Sequence, residues 1–149
     1  MVEGEKNINM GFIVVSKFVL FHPKSAPMKQ NILKTKSFEF AVRIVNLYKY
    51  LKKEYGEYVL SQQIIRSGTS IGAIIREAEH AESTKDFVHK LSIGLKEANE
   101  SKYWLDLLVA TSFISKKMYE SLNRDCEELL KMLTASVITS KRRIKNIIN

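Results

Sequence analysis

Residues Ser67 to Leu105 read SGTSIGAIIREAEHAESTKDFVHKLSIGLKEANESKYWL, and their periodicity decides the fold. Ile64, Gly68, Ile71, Ile75 and Ala78 recur at steps of four and three. After a polar interruption at Ala81 to Asp86, Phe87, Leu91, Gly94, Ala98, Ser101, Leu105 and Leu108 repeat the pattern. That spacing returns an apolar or small side chain to the same face at every turn of an α-helix. Two helices joined by a tight turn are predicted. Ser83 is placed to accept from the first free N–H groups of the second helix, and Asp86, three residues on, to return a bond, a variant of the capping box.

Upstream, a first helix is predicted from Lys36 to Tyr55, with Ser37 as its cap and Gly56 as its stop. It carries two apolar stripes: Phe40, Ile44, Leu47 and Leu51 form one, and Phe38, Ala41, Val45 and Tyr48 run beside it. An arc that wide exceeds what one seam requires, so part of it is predicted to face another subunit. The helix containing Ile64 is predicted to open near Ser61, as its cap, and to end near Glu82. Its small residues, Ser67 to Ala73, rank as poor helix formers, and their place inside a periodic helix implies close approach of a neighbouring backbone. A phosphate-cradling loop fits less well, because the run has no lysine, no Gly-x-Gly-x-x-Gly spacing and no preceding strand.

Downstream, the third helix is predicted over Thr84 to Thr111. The fourth opens at Ser115 and presents Met118, Leu122, Cys126, Leu129, Leu133, Val137, Ser140 and Ile144 on one side. Short links make successive helices antiparallel, which gives an all-α, up-down-up-down antiparallel four-helix bundle, expected to assemble as a homo-oligomer. At about 1.5 Å per residue the last two helices should reach some 40 Å and the first two nearer 30 Å, so the second hairpin is expected to overhang the first.

Residues 1–35 read as an N-terminal extension and 36–149 as the bundle domain. Gly11 to Phe21, GFIVVSKFVLF, is apolar but roughly half a bilayer span in length, with no small-residue cleavage site after it, and is read as neither anchor nor signal. Two readings stand side by side: a mobile or loosely docked extension from Met1, or a true start at Met28. A chain of 149 residues with 45% hydrophobic content can build one core without metal or disulfide. The single cysteine, Cys126, excludes an intrachain disulfide and reads as a small buried hydrophobe in a reducing cytoplasm. No membrane partner is expected. The net charge of +8 favours anionic partners, and the surplus sits at the two ends of the chain while the central hairpin is nearly neutral.

Catalytic and metal chemistry find little support. Glu77 and His80 have the Glu-x-x-His spacing of di-iron bundles, but no second such pair exists, so no metal or other cofactor is expected. Glu97 and Glu100, near Tyr103 and Trp104, would make an acid–base pair only in a desolvating pocket. They are read instead as interface or register residues that pair with Arg66, Arg76 or Lys90 across helices or subunits, with Phe38 and Tyr48 in the same interface set. The basic run Lys141, Arg142, Arg143 and Lys145 carries the nucleic-acid signal, although cations at a helix C-terminus also suit the macrodipole. An up-down-up-down topology brings that run to the same end as Lys29, Lys34 and Lys36.

Taken together, Arg66 to Ala73, Arg76-Glu77-Ala78, Ala81-Glu82-Ser83, Asp86-Phe87, Lys90, Ile93, Lys96-Glu97, Glu100 and Tyr103-Trp104-Leu105 form a pattern over about residues 36–140. This pattern resembles the bacterial four-helix-bundle proteins encoded in intervening sequences of 23S rRNA genes, and it is similar to the accessory protein of diversity-generating retroelements. The resemblance implies a homo-oligomer, commonly a pentamer, that binds RNA or DNA and has no catalytic activity. It also leaves open a scaffold or accessory subunit whose partner is a protein, for example a reverse transcriptase. One departure is Ile74, which stands where family members often carry asparagine.

Overall fold

The computed structural model describes residues 27–148. Four helices follow one another: α1 (Pro27–Tyr55), α2 (Val59–Ala78), α3 (Thr84–Ala110) and α4 (Lys116–Ile148). There is no strand among the described residues. Each helix packs against its chain neighbours, and α4 closes back on α1 more sparsely, as expected of an up-down-up-down bundle.

The register is written in cross-helix contacts. Tyr48 meets Gln62 and Lys34 meets Glu79 between α1 and α2; Ser67 meets Ser101 and Ser70 meets Glu97 between α2 and α3. Tyr119 donates to Asp106, and the Cys126 thiol to the carbonyl of Ala98, between α3 and α4. In every case a rising number on one helix meets a falling number on the next, so all neighbours are antiparallel.

The core follows the predicted seams. Phe40, Ile44 and Leu51 of α1, Ile64, Ile71 and Ile75 of α2, Leu105 and Leu108 of α3, and Leu129 and Leu133 of α4 are all but completely buried. Burying one such side chain stabilises the fold by about 1.5–3 kcal/mol. The small-residue run of α2 is where α1 comes closest. A Cβ added to Gly68 would lie 2.8 Å from Cγ1 and 3.0 Å from Cγ2 of Ile44, so at Gly68 it is the Ile44 side chain that comes close, while the backbone approach expected of the run is met at Gly72, whose Cβ would lie 3.5 Å from the Ser37 carbonyl oxygen. Ser67 and Ser101, both fully buried, meet at 3.0 Å, and each hydroxyl also lies within hydrogen-bonding distance of a carbonyl of its own helix. Small hydroxyls thus let α2 and α3 approach without stranding a polar group.

Three predicted helix ends are corrected. Helix α1 starts at Pro27, nine residues before Lys36, with proline at the first helical position where its missing N–H costs nothing. Ser37 is therefore no cap: it is fully buried mid-helix and donates to the carbonyl of Lys34. Nor does Ser61 cap α2, since its hydroxyl is buried and donates to the carbonyl of Glu57. The cap is the Glu57 carboxylate, which accepts from the N–H groups of Val59, Leu60 and Ser61 at 2.7–2.8 Å. Burial raises the Glu57 pKa, but these three bonds outweigh it and leave the carboxyl below its ordinary value. Helix α2 ends at Ala78 rather than Glu82.

The other ends agree with the sequence. Gly56 closes α1 with φ +59°, its N–H bonded to the carbonyl of Lys52 as in an αL cap, and the N–H of Glu57 bonds the carbonyl of Leu51. Ser83 accepts from the Asp86 N–H, and the Asp86 carboxylate accepts in return from Glu82. Ser115 accepts from Met118 at the start of α4. With 29 residues α1 is about 43 Å long, so it matches the 27-residue α3, and only the 33-residue α4, near 50 Å, overhangs the bundle. The extension expected over residues 1–35 lies outside the described residues as far as residue 26.

Candidate nucleic-acid interface

The overhang of α4 positions the basic run. Along the α1–α4 seam, Lys36 meets Glu128, and Arg43 binds Asp125 together with the carbonyl and hydroxyl of Ser121. At that register Pro27 of α1 lies opposite about residues 137 to 141 of α4. The last core side chain of α4 is Val137, with Ile144 packed at the margin. Beyond it Lys141, Arg142, Arg143 and Lys145 are exposed on a helix end that projects past its neighbours.

The lysines of α1 are placed differently. Lys34 pairs with Glu79 at 2.8 Å and Lys36 with Glu128 at 3.0 Å. The hydrogen bond to Glu128, above all, holds the Lys36 pKa above its ordinary value, so it remains a cation already matched by an anion. Both pairs are surface pairs that phosphate could displace at small cost. Lys29 lies in the first turns of α1, and its side chain is outside the described residues. The structure thus separates the seven predicted contact residues: four on the tip of α4, two in ion pairs along α1, and one known by its backbone only.

The predicted register residues resolve one by one. Arg66 binds Glu100 at 3.0 Å, and the same carboxylate oxygen accepts from the Trp104 indole at 3.2 Å. Glu97 accepts from Ser70 rather than from a cation. Arg76 donates to the carbonyl of Gly72 and lies over the Phe38 ring, 5.6 Å from its centroid. Lys90 pairs with Asp86 in its own helix. Tyr48 accepts from Lys52 and Gln62. Of the predicted second stripe of α1, Ala41, Val45 and Tyr48 are half-buried and Phe38 is 56% exposed; with Val42, outside that stripe and 44% exposed, Phe38 leaves an apolar patch uncovered.

Two polar clusters were not anticipated. One is the Arg43 latch to α4, whose partners lie some eighty residues away in sequence and share no motif with it. The other joins Lys102, Asp106 and Tyr119, with Tyr119 donating to Asp106 at 2.6 Å. That hydrogen bond chiefly raises the Tyr119 pKa, while for Lys102 burial lowers the value and the bond to Asp106 more than restores it. Among the described residues no three His, Cys, Asp or Glu side chains gather to hold a metal ion, and His80 lies in the turn after α2. No helix among the described residues is long and apolar enough to cross a membrane.

Residues 29–135 match the family model of the 23S rRNA-intervening sequence protein. The chain belongs to that family. A crystal structure of a protein of unknown function from the S23 ribosomal protein family of Bacteroides thetaiotaomicron is 59% identical and superposes with a TM-score of 0.73. The alignment covers 74% of this chain and 98% of that one. No curated protein matches. The family match stops at residue 135, short of Lys141, so membership accounts for the bundle and its seams and does not by itself account for the basic tip.

Proposed function

We propose that the protein is a non-enzymatic, oligomeric binding module that holds RNA or DNA through phosphate contacts at the tip of α4. One observation carries this reading. Lys141, Arg142, Arg143 and Lys145 stand exposed within five residues near the end of α4, where only Ile144 still packs against the core, and Lys141, Arg142 and Lys145 make no ion pair with the described residues. Four cations so placed attract a phosphate backbone without reading bases. The oligomer is supported by the uncovered patch around Phe38 and Val42. A closed pentamer, the assembly the family resemblance favours, would multiply the +8 of each chain fivefold.

The test is binding of the full chain to duplex DNA and to unrelated RNA across a salt series. If each engaged subunit contacts two or three phosphates, the log–log slope is about −2 to −3 per subunit on duplex DNA, with little sequence preference. Replacing Lys141, Arg142, Arg143 and Lys145 together by glutamine should weaken binding by an order of magnitude or more and leave the helical signal intact. Unchanged affinity and slope in that variant would move the site elsewhere. A second reading, a scaffold or accessory subunit for a protein such as a reverse transcriptase, is favoured by the same exposed α1 patch, and the absence of any binding by the parent at low salt would select it.

A further inference from the structure

At the opposite end of the bundle the α1–α2 and α3–α4 links meet, and aromatic rings and lysines interleave there. Tyr55 stands edge-on to Phe113, with ring centroids 5.3 Å apart, and edge-on to Tyr50 at 6.0 Å, yet 49% of it remains exposed. Tyr58, 56% exposed, carries the Lys52 ammonium over its ring at 4.9 Å, and the same ammonium lies 4.9 Å from the ring of Tyr48. Val59, beside it, is 73% exposed. Lys49, Lys53, Lys116 and Lys117 are all exposed around these rings, and Lys117 lines with Tyr50 a shallow groove between α1 and α4.

The charge at this end is not cancelled. Its acidic residues are Glu54, Glu57, Glu120 and Asp106, the last already held by Lys102 and Tyr119. Both oxygens of Glu57 are occupied in capping α2, and Glu120 reaches Lys116 only at 3.8 Å between two highly exposed side chains, a pair of little worth in water. Lys49, Lys53 and Lys117 make no ion pair with the described residues. Edge-on packing against Tyr50 and Phe113 leaves about half of Tyr55 exposed, and more than half of Tyr58 is exposed beneath Lys52.

We infer that this end is a stacking platform for single-stranded RNA, with Tyr55 and Tyr58 receiving unpaired bases and Lys49, Lys53, Lys116 and Lys117 holding the flanking phosphates. The chemistry commits to single strands. A duplex turns its base faces inward, whereas every unpaired base offers a π-face, and stacking on an aromatic side chain tolerates any sequence. The inference rests on the proposed nucleic-acid reading but places a second site about 40 Å away, near the other end of the 33-residue α4. The tip and the platform can therefore be changed independently.

The experiment uses the full chain and two fluorescein-labelled probes, a short single-stranded oligouridylate and a duplex RNA of equal length, at low salt. A Tyr55→Leu, Tyr58→Leu double variant should lose roughly 10- to 100-fold in single-strand affinity, from stacking losses of about 5- to 100-fold per ring that need not add, while its duplex binding is unchanged. Tyr58→Phe, which keeps the ring, should bind like the parent. The glutamine variant of the α4 tip should lose chiefly duplex binding. A 2-aminopurine placed within a single strand should be quenched by the parent and not by the leucine variant. Equal single-strand affinity in the leucine variant, an equal loss on both probes, or no quenching by the parent would each overturn the platform while leaving the tip standing. Failure of the parent to bind either probe would overturn the tip and the platform together.

Discussion

Gly68 is the most exacting point of the α1–α2 seam, and Gly68→Ala tests the packing there. Two effects oppose each other. Alanine in a helix interior is favoured over glycine by about 1 kcal/mol. Against this, the new Cβ would sit 2.8, 3.0 and 3.3 Å from Cγ1, Cγ2 and Cβ of Ile44. These are not the tip of a flexible side chain. Both γ carbons and the β carbon face the glycine, and a β-branched residue in a helix has essentially one χ1 rotamer, so rotation cannot clear the space. Overpacking of that kind costs about 1–3 kcal/mol, and with all three Ile44 atoms crowded the clash should win by up to about 2 kcal/mol.

The same substitution elsewhere should have the opposite sign. A Cβ on Gly72 would meet Ser37 and Arg76 at 3.5 Å, and one on Gly94 would meet Ile74 and Leu133 at 3.6 and 3.7 Å, all ordinary contact distances. Gly72→Ala and Gly94→Ala should therefore each stabilise by up to about 1 kcal/mol. Urea denaturation at one fixed protomer concentration measures all three, because assembly would otherwise shift the midpoints. A cycle with Ile44→Ala sharpens the result: that change alone should cost about 2–5 kcal/mol, and Gly68→Ala should recover at least 1 kcal/mol of it by refilling the cavity. A stabilised Gly68→Ala protein, or additivity within about 0.5 kcal/mol in the cycle, would refute the seam geometry.

Glu57→Gln should destabilise the protein by about 0.5–2 kcal/mol at pH 7, judged by thermal melting. Because the folded-state pKa of Glu57 is depressed, its contribution is present above the unfolded carboxyl value and lost as pH falls through the folded one, so parent and variant should converge in acid. Burial pushes the Cys126 thiol up to about 12, so a thiol-specific reagent at pH 8 should label it only through unfolding, and labelling faster than global unfolding would contradict its burial. Light scattering of the full chain should give a multiple of 17.2 kDa, and Phe38→Glu with Val42→Glu should reduce it; a clean monomer in the parent would remove the oligomer from the proposal.

What the sequence revealed, and what it hid, divides by physical range. The seams of α2, α3 and α4 were legible because helical periodicity is a local rule that most core positions obey, from Ile64 through Leu105 to Leu133, although at the start of α3 Val88 is buried and the predicted Phe87 only half-buried. The Ser83 cap was legible because its donor lies three residues away. The cap of α2 was hidden because Ser61 is the better capping residue by type, yet the longer Glu57 side chain reaches three N–H groups and leaves Ser61 to the core. Ser37 misled in the same way: a buried serine satisfied by its own helix cannot be told from a cap by composition alone. Lateral neighbours such as Arg43 with Asp125 depend on the rotation of two helices about their axes, which periodicity does not give to that accuracy. Of the candidate site, the sequence located the cations but not which of them were already paired.

That last distinction bears on how an assembly would work. Lys34 and Lys36 face carboxylates along the body of the bundle, so that stretch presents a mixed surface, while Lys141, Arg142 and Lys145 at the tip of α4 face no carboxylate among the described residues. A protomer acting singly would offer one such tip, and its salt slope should stay near −2 to −3. Copies packed side by side in a cyclic ring all point the same way, because rotation about one axis parallel to the helices preserves their direction, and every tip then lies on one rim. Copies related by a two-fold axis across the bundle would place their tips at opposite ends and could not engage one duplex segment together. The salt slope of the intact assembly, compared with that of the Phe38→Glu, Val42→Glu variant, therefore reports geometry as well as charge. A slope several times steeper in the parent requires a shared rim, and equal slopes would mean that the tips act one at a time.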